Sequence, residues 1–321
     1  MAVTAPAATP KGLVFENTRK PRSLWRDALR RLMRNKMAVA SAIVILLIAF
    51  LAAFASFLPL HPPVEYQSRE NDPGGGGTRL PPFWQEGGNS KFILGTDPSG
   101  RDVLSRIIFG AQVSLMVGFI PVAIVVAIGL LVGMTAGFMG GRVDMLLMRF
   151  TDVVYAFPDL LFIIIMLSAL RGTALYNILD GLLLIFVSLS VIGWVGMARL
   201  IRGQVLSLKE KEFIEAARAI GMSNRRIMVS HVLPNSLAPI IVAATFGVPG
   251  FIISEAILSY IGIGVRPPRP TWGGMVQDGY SNINAAPHLV WIPAACIAIL
   301  TLAFTFLGDG LRDALDPRMN D

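Results

Sequence analysis

The sequence predicts an all-α integral membrane protein with six transmembrane helices. Three observations predict it. Of 321 residues, 54% are hydrophobic and only 15% charged, against roughly 25% charged in a soluble domain. Six apolar runs come close to the ~20 residues that span a bilayer core. The Lys and Arg residues sit in short segments between those runs rather than along a continuous basic surface. The net charge of +7 therefore reflects membrane orientation and not nucleic-acid binding, which needs a contiguous cationic face.

Taken in order, the chain opens on residues 1–36, a basic arm whose first ten residues are rich in Ala, Thr and Pro and read as disordered. Its cations Arg19, Lys20, Arg22, Arg26, Arg30, Arg31, Arg34 and Lys36 fit anionic membrane lipid better than a specific protein contact. The apolar runs are Met37–Phe57, Val113–Phe138, Val153–Leu170, Leu182–Met197, Ser236–Ile257 and His288–Leu307. The first is too long for the apolar part of a cleaved signal, so it is read as a retained helix. Each run must be helical, because lipid offers no partners to unpaired backbone groups. With the N-terminus inside, segments 1–36, 139–152, 198–235 and the tail 308–321 hold 20 of the 28 Lys and Arg, which puts both termini in the cytoplasm.

Residues 58–112 form an irregular outer loop carrying Gly74 to Gly77 and the pairs Pro62-Pro63 and Pro81-Pro82. Near its end, Thr96 or Asp97 can cap a short interfacial helix whose first position is Pro98, feeding the second span. The remaining residues 113–307 are a five-helix core. In its first helix Gly129, Gly133 and Gly137 recur every four residues and strip one face of side chains, for packing within the chain or against a second subunit.

Two carboxylates lie in or beside spans. Asp159 is ~9 Å into the third span, and Glu255 is at the outer end of the fifth. Each is read first as an interfacial carboxylate within reach of water, paired with an Arg or an amide, and second as a group lining a substrate pathway or gate. The lone Cys296 excludes a disulfide framework, and the distant His61, His231 and His288 give no metal-ligand spacing. No phosphate-binding Gly-x-x-x-x-Gly-Lys-Ser/Thr run, Gly-x-Ser-x-Gly elbow or His-Glu-x-x-His pair occurs. No catalytic, cofactor or metal residues are expected in this chain.

The strongest signal lies in the cytoplasmic segment 198–235. From Lys209 to Gly221 an amphipathic helix is predicted, with Phe213, Ala217 and Ile220 on one face and Glu215 spaced for ion pairs with Lys211 and Arg218. Gly221 suits the left-handed residue that ends it, Ser223 or Asn224 can cap a second helix, and Pro234 marks where that helix stops or kinks. Read from these residues alone, the segment is a solvated or lipid-lying amphipathic element, or a docking element.

Glu215-Ala216-Ala217, then Gly221, then Leu233-Pro234 resembles the EAA signature of ABC-importer permeases, which usually have isoleucine where His231 stands. Leu94 to Asp97, Gly100 to Arg106, Ser254-Glu255-Ala256, Pro267-Pro268, Thr271-Trp272-Gly273 and Gly308 to Pro317 resemble the C-type permeases of the dipeptide, oligopeptide and nickel branch; Pro81 to Gly88 is similar to its dipeptide members. The resemblance implies a type I importer permease fold in which the Glu215 to Pro234 loop is a coupling helix. It also implies a B-type permease partner, two ATP-binding subunits that hold ATP and magnesium, and an extracytoplasmic solute-binding protein. The expected function is import of short peptides, dipeptides foremost, across the cytoplasmic (inner) membrane, with nickel, glutathione or another small solute as alternatives. A rival of another class is an ion-coupled secondary transporter, which calls for buried carboxylate or His relays and paired broken helices; a membrane receptor or scaffold needs only the spans and basic loops.

Overall fold

The computed structural model describes residues 24–63, 79–174 and 178–316. The expectations for Met1 to Pro10, Arg19, Lys20, Arg22, Gly74 to Gly77 and Pro317 lie outside those residues. Most of the described residues are helical. A short amphipathic helix, α1 (Leu24–Arg34), is divided from α2 (Lys36–Ala53) by Asn35 alone. The Asn35 side chain accepts from the Met37 and Ala38 amides at 3.1 and 3.2 Å, which caps α2.

The second-span helix, α3 (Val103–Met139), is 37 residues long, about 55 Å at 1.5 Å per residue, and so projects well beyond a ~30 Å hydrocarbon layer. A separate interfacial helix starting at Pro98 does not form. The Asp97 carboxylate instead accepts from the Ser99 and Arg101 amides at 2.8 and 2.9 Å, closing a turn around Pro98. Asp102 then caps α3 through the Leu104 amide. The same acidic residue can serve a helix start or a turn, and the turn wins here because Gly100 takes a left-handed φ of +79°.

The third traverse also differs from a single helix over Val153–Leu170. It consists of α4 (Gly141–Tyr155) and α5 (Asp159–Ala169), bent by 78° between them. Pro158 disfavours helical backbone at Phe157, so α4 must end before it. The fourth, α6 (Leu182–Lys209), runs on past Met197, so the first part of 198–235 is helix rather than loop. Then come α7 (Glu212–Ala219), α8 (Asn224–Ile227), a π-helical turn at Met228–Val232, and α9 (Leu233–Tyr260). Pro234 neither stops nor ends that second helix: α8 passes through the π turn into α9, and the wide turn accommodates the amide that proline lacks. A short α10 (Trp272–Tyr280) precedes α11 (His288–Leu315), which takes most of the 308–321 tail into the last span.

Contacts between helix ends give the bundle two distinct poles. Lys209 donates to the Phe138 carbonyl at 2.7 Å, and Gly310 packs directly on Ala38. The ends of α3, α6 and α11 therefore share one pole with the start of α2, the basic end. At the opposite end Gln112 donates to the Ala52 carbonyl at 2.7 Å and Arg171 to the Gly262 carbonyl at 3.4 Å. The α4–α5 pair leaves the basic end at Gly140 and reaches Arg171 at the other, so it makes one bent crossing beside the five helices that are each long and apolar enough to span a membrane.

Close packing of α3 on α6 forms the centre. Gly129, Gly133 and Gly137 all face α6 of the same chain; a Cβ on Gly133 would come 2.5 Å from the Ala198 carbonyl oxygen and 2.9 Å from Ile201 Cβ. Only hydrogen at these positions allows the two backbones to approach so closely.

A candidate partner-docking loop and a polar clasp at the opposite end

At the basic end α7 begins just after α6, turns at Gly221 and returns through α8. Ile214 and Ala217 are buried against Ile201, Val205, Ile227 and Val232, which anchors the turn to α6 and to the π turn that leads into α9. The buried face is therefore Ile214 and Ala217, not Phe213, Ala217 and Ile220. Phe213 and Ile220 remain 42% and 78% exposed on the surface of the loop. Gly221 has φ +81°, the Met222 amide donates to the Ala217 carbonyl at 3.1 Å, and the Gly221 amide donates to Arg218 at 2.9 Å. This is a left-handed helix stop that satisfies the last carbonyls of α7. Ser223 occupies the capping position of α8 with extended backbone, though its side chain makes no cap bond.

Glu215, Ala216, Arg218, Arg225 and Arg226 are exposed, Leu233 is half-buried and Pro234 is exposed. The predicted Lys211–Glu215 and Glu215–Arg218 pairs do not close among the described residues, in keeping with the few tenths of a kcal/mol such pairs contribute. Glu215 is left available to another molecule. His231 sits in the π turn with its ring 6.4 Å from that of Phe213, and its carbonyl accepts from Asn235 at 2.7 Å.

The two span carboxylates have different surroundings. Asp159 is exposed in the first turn of α5, at the bend. Glu255 is only 1% exposed and accepts from the Ser259 hydroxyl at 2.5 Å, and among the described residues it forms no ion pair with an arginine. The expectation of a water-reachable interfacial carboxylate is thus overturned for Glu255. The connector after α9 folds back over it: Gly264 packs onto Ser259, and Gly273 approaches so closely that a Cβ would lie 2.5 Å from Ala256 Cα.

The end opposite the docking loop holds a polar cluster that reading for helices and motifs did not assemble. Arg101 Nε donates to Asp97 Oδ2 at 2.6 Å, Arg106 Nη1 lies 3.5 Å from the same oxygen, and Arg101 and Arg106 each donate through Nη2 to Asp278 Oδ2 at 3.3 and 3.1 Å. The cluster clasps the loop before α3 to α10. Two further bonds support it: Trp272 Nε1 donates to the Ile107 carbonyl at 2.9 Å, and Ser105 Oγ to the His61 carbonyl at 2.6 Å. His61 Nδ1 also lies 3.2 Å from Asp102 Oδ2. Burial raises the Asp102 carboxyl above its ordinary range, against the opposing pull of His61. Burial likewise raises Asp278, opposed by Arg106 and then Arg101. The spacing of Asp97, Arg101 and Arg106 was visible in the sequence, but their partner Asp278 is 172 positions beyond Arg106. Among the described residues no three His, Cys, Asp or Glu side chains converge as a metal site would require.

Asp97→Ala is expected to lower stability by about 3 kcal/mol, because it leaves two buried guanidinium groups sharing the single carboxylate of Asp278. Thermal unfolding of the purified protein checks this; a loss under about 0.5 kcal/mol, the level of an ordinary surface change, contradicts it.

Residues 129–321 match the family described as the binding-protein-dependent transport system inner membrane component. The chain belongs to that family. Residues 23–82 match the N-terminal TM domain of oligopeptide transport permease C. This permease is 39% identical over 297 residues to the oligopeptide transport system permease protein OppC of Haemophilus influenzae, covering 92% of this chain and 89% of that one. It is 41% identical over 297 residues to the dipeptide transport system permease protein DppC of Alkalihalophilus pseudofirmus, covering 92% and 91%. Among solved structures it is similar in fold to a chain of the inward-facing MetNI methionine ABC transporter, with TM-score 0.53 and 19% identity over 66% of this chain and 97% of that chain. As a member of this family the permease is a non-catalytic membrane subunit of a transport system with the ABC-importer permease fold.

Proposed function

We propose that this permease is the C-type subunit of an ATP-driven importer of short peptides, dipeptides foremost, in the cytoplasmic membrane. It pairs with a B-type permease, two ATP-binding subunits that hold ATP and magnesium, and an extracytoplasmic solute-binding protein, and both of its termini are cytoplasmic. The oligopeptide and dipeptide relatives support the peptide substrate. The excess of Lys and Arg at the basic end supports the orientation.

One observation carries the mechanism: the helix-turn-helix from Glu212 to Ile227 buries Ile214 and Ala217 against α6 and the π turn that leads into α9 while leaving Phe213, Glu215 and Ile220 exposed. In the proposed mechanism a partner ATPase grips that exposed face, and any displacement of the loop passes directly to two spans. Glu215, Ala216, Ala217, Gly221, Leu233 and Pro234 are the proposed coupling residues. Ala217 and Gly221 act by holding the shape of the loop. ATP-driven closure of the two ATPases biases the spans from an inward-facing to an outward-facing state, as required of contacts that differ between states. Asp159, exposed at the α4–α5 bend, is the better candidate of the two carboxylates for a pathway or gate. Glu255 is a structural contact beneath the connector.

The test is uptake into proteoliposomes holding both permeases and both ATPases, with the binding protein outside and a panel of dipeptides, glutathione and a nickel chelate. ATP-dependent dipeptide uptake that needs the binding protein is the expected result. Uptake by this chain alone, driven by an ion gradient, contradicts the proposal. Uptake of another solute alone moves the substrate assignment and leaves the assembly standing.

A further inference from the structure

One face of α1 is cationic and carries no partner among the described residues. The opposite face is seated: Ala28 is buried, Leu32 Cδ1 lies 3.3 Å from where a Cβ on Gly310 would stand, and Arg31 Nη1 donates to the Asp316 carbonyl at 3.3 Å. Those contacts lay the helix on the end of α11. On its other side Arg26, Arg30 and Arg34 recur every four residues, all exposed, and Lys36 is exposed just beyond them. None of these four cations makes a hydrogen bond or ion pair among the described residues. Asp27 is the one acid in α1 and pairs with none of them, so it offsets at most one charge of the four.

Beside the cations runs an apolar row. Leu29 and Met33, each one residue before an arginine of the row, are 59% and 64% exposed. Unpaired cations interleaved with exposed apolar side chains are the pattern of a helix lying in a membrane surface, its apolar side chains sunk below the headgroups. Guanidinium groups suit the phosphates at that level in both geometry and charge. The position of α1 agrees. Asn35, at ψ 103°, is extended, so α1 turns off the axis of α2 one residue before that span begins. Helix α2 presents Ile43, Leu46, Leu47 and Phe50 toward the hydrocarbon layer, which puts α1 at its polar edge. A protein covering this face would have to bring an acid for each unpaired cation, whereas an anionic leaflet supplies negative charge along its whole surface.

We propose that α1 lies along the polar edge of the bilayer and binds anionic phospholipid, with Arg26, Arg30 and Arg34 on the lipid phosphates and Leu29 and Met33 in the acyl layer. Because Asn35 caps α2 and Leu32 rests on α11, lipid held there fixes the ends of two spans on the side of the docking loop. The inference needs only that the chain spans a membrane, so it stands or falls apart from the peptide substrate and the ATPases.

The test places a fluorescent amino acid at position 33 of the permease in the assembled complex, in nanodiscs of phosphatidylcholine with a quarter of the lipid phosphatidylglycerol. Bromines on the acyl chains, which quench the fluorophore on contact, are carried by the phosphatidylglycerol alone or by an equal number of the phosphatidylcholine molecules. Random mixing gives equal quenching. The proposal expects phosphatidylglycerol to be enriched roughly 5-fold beside the fluorophore, the weight of one cation near a charged surface. Raising the salt from about 0.1 M to about 1 M shortens the screening length from about 10 Å to about 3 Å. That change is expected to abolish the preference while quenching by brominated phosphatidylcholine persists. Arg26→Gln, Arg30→Gln and Arg34→Gln together are expected to do the same; the salt comparison needs no variant, so it stands even where the triple change disturbs the helix.

Equal quenching by the two lipids at low salt overturns the proposal, as does a preference that survives both high salt and the triple change. Quenching by neither lipid in the complex, with quenching by both in this permease alone, overturns it in favour of a partner protein on this face.

Discussion

Gly133→Leu is expected to produce the largest loss of stability of any single substitution in the spans. A side chain there starts with its Cβ 2.5 Å from the Ala198 carbonyl oxygen, 2.9 Å from Ile201 Cβ and 3.1 Å from the Arg202 amide nitrogen. Two of those atoms are backbone, so no side chain can swing away to relieve the overlap, and α3 must part from α6 along a contact that runs from Gly129 to Gly137. Overpacking in well-packed cores costs about 1–3 kcal/mol, and a leucine on a helix face built for hydrogen should cost at least the top of that range. Gly203→Leu is the control, because nothing lies within 4 Å of its Cβ position. The check is the thermal unfolding midpoint of both variants in the same detergent. A midpoint for Gly133→Leu equal to that of the control contradicts the packing account.

The second large effect is on assembly rather than folding. Ile220 is 78% exposed, so Ile220→Asp should change the stability of this chain by no more than about 0.5 kcal/mol. If Ile220 anchors a partner, losing it should cost about 2 kcal/mol of binding, or roughly 30-fold in affinity. Retention of the ATP-binding subunits on the tagged permease is the measurement. Strong loss with an unchanged unfolding midpoint is expected, and Ile220→Met should keep the partners. Full retention by the Asp variant removes this face from the contact.

Much of the fold was legible because membrane spans announce themselves in one dimension. Long apolar runs gave α2, α3, α6, α9 and α11 without tertiary information, and Gly221 after an amphipathic stretch indicated a left-handed stop. The features that eluded the sequence all depend on distant contacts. The stripes through Phe213 and through Ile214 share Ala217, and only packing against Ile227 and Val232 decides which of them turns inward. Glu255 lies near a span end, where water would ordinarily reach it, yet a connector from later in the chain seals it. Asp97 beside Pro98 fits a helix cap or a turn equally well until Arg101 and Gly100 are placed. The clasp could not be assembled at all without knowing that α10 returns Asp278 to the start of α3. In the third traverse Pro158 was visible inside the run, and the bend it imposes could have been anticipated from the restriction it places on Phe157.

The measurement that tests the central claim most directly is peptide-stimulated ATPase activity of the reconstituted complex with its binding protein, comparing wild type with Glu215→Ala and Gly221→Asp. Gly221→Asp strains a backbone at φ +81° without introducing a steric clash, since nothing lies within 4 Å of its Cβ position. It therefore strains the loop and adds one negative charge at its exposed turn. The account predicts that dipeptides stimulate the wild-type ATPases and that both variants lose this stimulation while their ATPase subunits keep nucleotide affinity. Undiminished stimulation in both variants would contradict coupling through this loop.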